Sequence, residues 1–142
     1  MIELVEPNDA RAVRNKDNIL ALYDLMIDKK EAEHAVAKCF APQYIQHHPL
    51  VPDGAAALAR FFDKMTKDRA HLRIVIHRSV AIDDDVWAHV QFMNLFTDDP
   101  QDRGIAGVDI FKMDADGKAI EHWDVLQEID APKNAAHAHG MF

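Results

Sequence analysis

Two aspartates set inside apolar stretches, and several of the nine histidines, are the side chains of this chain best suited to moving protons. Asp109 stands between Val108 and Ile110, where a carboxylate has poor strand propensity and is expensive to bury without partners. On the outer face of a sheet it would merely be solvated. Turned inward, it would have its pKa raised by desolvation and could serve as a proton donor or base. Asp124 ends the run Glu121-His122-Trp123-Asp124. A tight turn at Asp116-Gly117 places the two acids on neighbouring strands, close enough to share one pocket. Paired carboxylates in an apolar cavity, one protonated and one ionised, can abstract a proton next to a carbonyl.

The histidines divide by context. Strand alternation puts His122 on the face of Asp124, opposite Glu121, Trp123 and Val125. His47 and His48 are adjacent in Tyr44-Ile45-Gln46-His47-His48-Pro49, so on an extended segment one of them points inward. His89 lies in an apolar strand and is a third candidate. His34 and His71 read as surface or boundary positions, and His77 has no visible partner. His137 and His139 belong to the tail.

Other chemistries have weaker support. No His-x-x-x-His or His-Glu-x-x-His pair occurs, so the helical zinc-protease signature is absent. His47, His89 and Asp124 have the composition of a 2-His-1-carboxylate iron set; the expectation is nonetheless that no metal is used. Ser79 is the sole serine and lacks a nucleophile-elbow context. Cys39 falls on the apolar face of a helix, which suggests packing. No glycine-rich phosphate loop is present.

The elements that must position these residues change period halfway along the chain. Asn8 or Asp9 can cap a first helix with an apolar stripe of Ile19, Leu20, Tyr23, Met26 and Ile27. A second helix is expected from about Glu31 to Phe40. The prolines between Pro42 and Pro52 break the pattern, and Asp53 is the expected cap of a third helix carrying Phe61 and Phe62. From there the chain reads as strands: Leu72–Ala81, Val86–Phe96, Ile105–Met113 and Ala119–Ile129. Short connections between successive strands favour antiparallel pairing. Helices first and a meander of strands afterwards is an α+β pattern.

Composition bounds the rest. The 142 residues are 49% hydrophobic and 28% charged, enough for one folded domain over 1–142, with 130–142 as a tail. A net charge of −8 argues against nucleic acid and anionic membrane partners. One cysteine excludes an intrachain disulfide framework. No apolar run reaches the roughly 20 residues a membrane span needs, and Met1 to Asn8 lacks the pattern of a secretory signal. A cytoplasmic location is expected.

The segments Tyr44-Ile45-Gln46-His47-His48-Pro49 with Val51-Pro52-Asp53-Gly54, Val108-Asp109-Ile110-Phe111, Asp116-Gly117-Lys118, Glu121-His122-Trp123-Asp124-Val125-Leu126-Gln127 and the ending His139-Gly140-Met141-Phe142 together resemble SnoaL-like proteins of the nuclear transport factor 2-like superfamily. The resemblance runs in order along nearly the whole chain. It implies a cone-shaped α+β barrel, three helices against a strongly bent antiparallel sheet, with a pocket at the wide end. It also implies polyketide cyclase or isomerase activity without a metal or organic cofactor. In that family's pattern Asp124 matches the general base, Asp109 the position that helps hold an enolate oxygen, and His47 the histidine before an asparagine that is His48 here.

The resulting expectation is an enzyme that removes a proton next to a carbonyl, for aldol-type cyclisation or isomerisation. Asp124 is the base, tuned by His122 or His47, and Asp109 and His89 are donors to the oxyanion. Tyr44, Phe61, Phe62, Met93, Phe111 and Trp123 form the wall for a small hydrophobic carbonyl ligand. Trp123 has a second assignment, a subunit interface. The alternatives are a non-catalytic small-molecule-binding protein and an assembly module using the Gly140-Met141-Phe142 tail. A homodimer or higher homo-oligomer suits all three.

Overall fold

The computed structural model describes residues 1–129 and 132–142, with the backbone alone at 132. The tail expected over 130–142 therefore begins on two residues outside the described set. The elements follow in the order β1 (Ile2–Val5), α1 (Ala10–Tyr23), α2 (Ala32–Cys39), β2 (Phe40–Gln46), α3 (Ala55–Thr66), β3 (Arg73–Ile82), β4 (Asp85–Met93), β5 (Ile105–Met113) and β6 (Ala119–Glu128).

Each helix starts where local chemistry lets it. Asp9 accepts from the Arg11 and Ala12 N–H groups at 3.0 Å, which satisfies two donors at the start of α1. After Tyr23 the helix widens into a π turn, Asp24–Asp28, and ends at Lys30, whose φ is positive. Two buried polar residues tie α1 to the sheet. Asn15 donates to the Asp83 carbonyl at 3.2 Å, and Lys16 pairs with Glu3 of β1 and with Asp17. Gly54, not the expected Asp53, occupies the cap position of α3. The Asp53 carboxylate instead accepts from the Gln46 and Gly54 N–H groups at 2.8 and 2.9 Å. This clips the end of β2 to the start of α3.

Six strands form one sheet in the order β1-β3-β4-β5-β6-β2. The central four are antiparallel, as their short connections require. Sequence alternation missed the two edges: β1 runs parallel to β3 and β2 parallel to β6, so the sheet is mixed. β1 is only four residues long and largely exposed, which leaves little periodic signal. β2 contains Pro42, a residue that an edge strand tolerates and an internal one does not. Register shifts between Ile76 and Arg78 and between Lys112 and Met113 are the irregularities by which a sheet bends.

The core lies between the helices and the inner sheet face. Ile19 and Leu22 of α1, Ala35 and Cys39 of α2, and Leu58 of α3 meet Val86, Ala88 and Val90 of β4. Cys39 is fully buried at the end of α2, and burial pushes its thiol pKa up. No helix among the described residues is long and apolar enough to cross a membrane.

Gly104 starts the turn of chain into β5. Its φ is +82°, and a Cβ there would lie 2.4 Å from the Phe92 carbonyl oxygen. Backbone cannot yield as a flexible side chain can. Gly104→Ala is expected to destabilise the fold by about 2–3 kcal/mol, the sum of left-handed strain and a backbone clash. Urea denaturation measures this; an unchanged midpoint would show that the β4–β5 connection re-forms freely.

Candidate functional site

Between α1, α3 and the inner sheet face lies a cavity of about 150 Å³. Its wall is apolar, with Leu22, Met26, Leu58, Phe61, Phe62, Met65, Phe92 and Phe111 among the lining side chains. Tyr23, Tyr44, Gln46, His48, Asp109, His122 and Asp124 supply its polar part. A dry apolar cavity of this size holds a molecule of roughly benzene's dimensions.

The two aspartates reach the cavity because of strand register. On β5 the side chains of Asp109 and Phe111 point inward, and Asp109 is 3% exposed. On β6 the turn at Asp116-Gly117 sets the pairing so that Asp124 stands directly opposite Asp109, and His122 opposite Phe111. Like charges placed opposite one another repel, so each needs its own partners.

Asp109 receives the Tyr23 hydroxyl from the end of α1, a 2.6 Å hydrogen bond inside the core. Burial, with Asp109 beside it, holds the Tyr23 hydroxyl well above the ordinary phenol range, so Tyr23 remains a donor. Asp124 has His48 Nε2 at 3.7 Å from its Oδ1. Burial pushes its carboxyl up, His122 and His48 pull it back, and Asp109 adds to the rise. A raised carboxyl pKa is what a base working near neutrality needs.

Gln46 links the remaining groups. Its Oε1 accepts from the His48 N–H at 2.9 Å and lies 3.1 Å from His122 Nδ1. Its amide nitrogen donates to the Tyr44 hydroxyl at 2.8 Å. Burial and the charge of Asp124 raise the pKa of Tyr44 as well. His122 Nε2 stands 3.8 Å from Asp109 Oδ1.

Of the residues singled out from sequence, Asp109, Asp124, His122, Tyr44, Phe61, Phe62 and Phe111 line this cavity. His47, His89, Met93 and Trp123 do not. The His47 N–H bonds to the His122 carbonyl at 3.0 Å, continuing the β2–β6 ladder. Alternation along that segment turns Gln46 and His48 inward and His47 outward, where it stacks on Trp123 at 4.5 Å and bonds to Glu121 at 3.0 Å. His89 and Met93 have the wrong parity on β4, whose inward set is Val86, Ala88, Val90 and Phe92. His89 contacts Arg78 at 2.8 Å on the outer face. Partial burial and the Arg78 charge lower its pKa.

Tyr23 and Gln46 were not recognised as site residues from sequence. Tyr23 is the one residue with a polar tip in the apolar stripe of α1, and Gln46 alternates with Tyr44 and His48. Both signals are visible only once the partner strand is known.

The same constellation bears on metal binding. Asp109, His122 and Asp124 each offer a ligand atom, all within 4.8 Å of one another. That spacing suits three ligands of one divalent cation, with Gln46 Oε1 orienting the His122 ring from behind. The set drawn from His47, His89 and Asp124 is not assembled, because the first two face outward.

The mixed sheet covered by three helices is a fold shared with solved structures described as nuclear transport factor 2-like. The family model for the SnoaL-like domain matches residues 19–122, and the chain belongs to that family. A proposed polyketide cyclase from Bacillus cereus superposes with a TM-score of 0.72 at 18% identity, covering 88% of this chain and 83% of that one. A proposed ketosteroid isomerase from Kribbella flavida gives 0.68 at 14% identity, covering 92% and 93%. A proposed SnoaL-like polyketide cyclase from a Jannaschia species gives 0.65 at 16% identity, covering 86% and 91%. Identities this low establish a shared fold. No curated protein sequence matches the chain.

The Asp124 carboxyl also makes a stability prediction. Its native pKa lies above the ordinary value of 3.8, so the native state binds this proton more tightly than the unfolded chain. Stability is therefore lost as pH rises from that value through the native pKa. Asp124→Asn removes the loss. Its melting temperature should exceed that of the wild type at pH 7, and the gap should close as pH falls toward 3.8. Thermal unfolding followed by circular dichroism across this range is the measurement. A variant less stable at pH 7 would mean that the ionised carboxylate is well compensated by His48 and His122.

Proposed function

We propose that this protein is a small enzyme that takes a proton from a carbon next to a carbonyl, leading to aldol-type cyclisation or isomerisation. The observation that carries the reading is the pair Asp109 and Asp124, opposite one another on β5 and β6 and facing one apolar cavity with different partners. Asp124, raised by burial, is the base. Asp109, braced by Tyr23, stands where a proton can be shared with the oxygen that develops negative charge. The acid–base work is assigned to the chain's own side chains, without a cofactor. The family membership and the cyclase and isomerase neighbours support the assignment.

The ligand class follows from the cavity. An apolar wall of phenylalanine, leucine and methionine side chains favours a small hydrophobic carbonyl compound. The outer sheet face carries exposed Val80, Trp87 and Val125, a patch that suits a second copy of the chain, and the proposal includes a homodimer. Sedimentation should return twice the mass of the chain, and Trp87→Glu should return one.

Proton exchange tests the chemistry. A small ketone incubated with the protein in deuterated water should exchange its α-protons, followed by NMR. Asp124→Asn should slow this by about 100-fold or more, the usual worth of a general base, while leaving the fold intact. Full exchange in the variant would remove Asp124 from the role. Ketone binding without any exchange is the result expected of a non-catalytic binding protein, which the apolar lining also suits.

A further inference from the structure

Two side chains that line the cavity stand mostly outside it: Leu50 is 80% exposed and Phe96 is 62% exposed. They come from separate loops, one between β2 and α3 and the other between β4 and β5. Scattered exposed apolar residues are ordinary. These two instead border one apolar cavity, together with Phe61, Phe62 and Met65, the half-buried lining residues of α3. Neither loop is free to turn its side chain away. Pro49 and Pro52 flank Leu50 and Val51 and restrict the backbone there. The Leu50 N–H reaches His48 Nδ1 at 3.1 Å, and the Val51 N–H reaches the His48 carbonyl at 3.1 Å. Ahead of Phe96, Asn94 holds a φ of +58°. Its N–H donates to the Asp102 carboxylate and its side-chain amide to the Asp99 carbonyl, both at 2.7 Å. An apolar side chain held in water by a braced backbone is stabilised when another apolar group covers it.

We propose that the ligand is a carbonyl compound whose apolar chain is longer than the cavity holds, and that the chain leaves between Leu50 and Phe96. These two residues then set the preferred chain length. The ligand class rests on the proton-abstraction reading above, which puts the carbonyl beside Asp109 and Asp124. A cavity of about 150 Å³ accommodates roughly six carbon atoms. The later carbons of an unbranched ligand must therefore reach the exposed margin, where Leu50 and Phe96 cover them. Among the described residues that line the cavity there is no lysine or arginine. Nothing there would pair with a carboxylate or phosphate, so the far end of the chain is itself apolar.

Calorimetric binding of 2-butanone, 2-pentanone, 2-heptanone and 2-nonanone to the intact chain tests this. Affinity should rise about fourfold for each methylene buried inside the cavity. From 2-heptanone to 2-nonanone it should keep rising by about twofold per methylene, the worth of half-burial at the margin. Leu50→Ser and Phe96→Ser should each reduce that last gain, and the double variant should remove it. The affinity for 2-butanone should not change, because four carbons do not reach the margin. Both side chains are exposed, so the variants keep the fold. Equal wild-type affinity for 2-heptanone and 2-nonanone overturns the proposal. So does an undiminished gain in the double variant, or a loss of affinity that is the same for 2-butanone and 2-nonanone. A double variant whose sedimentation mass falls while the gain persists assigns the two residues to a protein contact and also overturns it. α-Proton exchange of 2-butanone is scored separately. Exchange lost with the chain-length gain intact removes the catalytic reading alone; exchange intact without the gain removes the ligand class alone.

Discussion

Two carboxylates standing opposite each other in an apolar layer are the constraint to which the rest of this structure answers. Asp109 and Asp124 face each other across the β5–β6 ladder, where two ionised carboxylates would repel, and neither can reach bulk water freely. Their position is tolerable only because each has partners from a different part of the chain. Tyr23 must therefore lie at the inner end of α1, which requires that helix to cross the sheet with its apolar stripe against β4. His48 and Gln46 must come from the opposite edge. On the proposed reading, the fold gives up stability here for reactivity, the usual direction of that trade.

The edge strand β2 is what completes the arrangement. Running parallel to β6, it aligns Gln46 beside His122, and the Asp53 clip holds its last residue against the start of α3. One side-chain oxygen on Gln46 then serves two histidine residues at once. A hydrogen-bond network of this kind depends on every member being satisfied. Among the described residues, Ser79 Oγ is the one buried side-chain polar atom without a partner, and it does not line the cavity.

The aspartate pair could be read from sequence because a strand has a period of two and a tight turn fixes the register that follows it. Both rules are local, and both held on β5 and β6. The histidines could not be sorted as easily. His47 and His48 differ only in parity on a segment whose proline hides its strand character. His89 sits among apolar neighbours in sequence, yet its parity matches Trp87 on the outer face, where two of the expected wall residues, Met93 and Trp123, also project. Tyr23 and Gln46 are defined by their partners on distant strands, so no local pattern marks them. The α+β architecture was legible; the two parallel edges were not, since β1 is short and β2 begins where a helix pattern ends.

Cys39 gives the molecule an internal timer. It is the single thiol of the chain, it sits at the junction where α2 passes directly into β2, and burial keeps it protonated and out of reach. A thiol in that state reacts with a soluble reagent only when its surroundings come apart. The rate at which Cys39 is captured therefore reports how often its surroundings at the α2–β2 junction open, and a ligand that holds those surroundings together should lengthen the interval between openings.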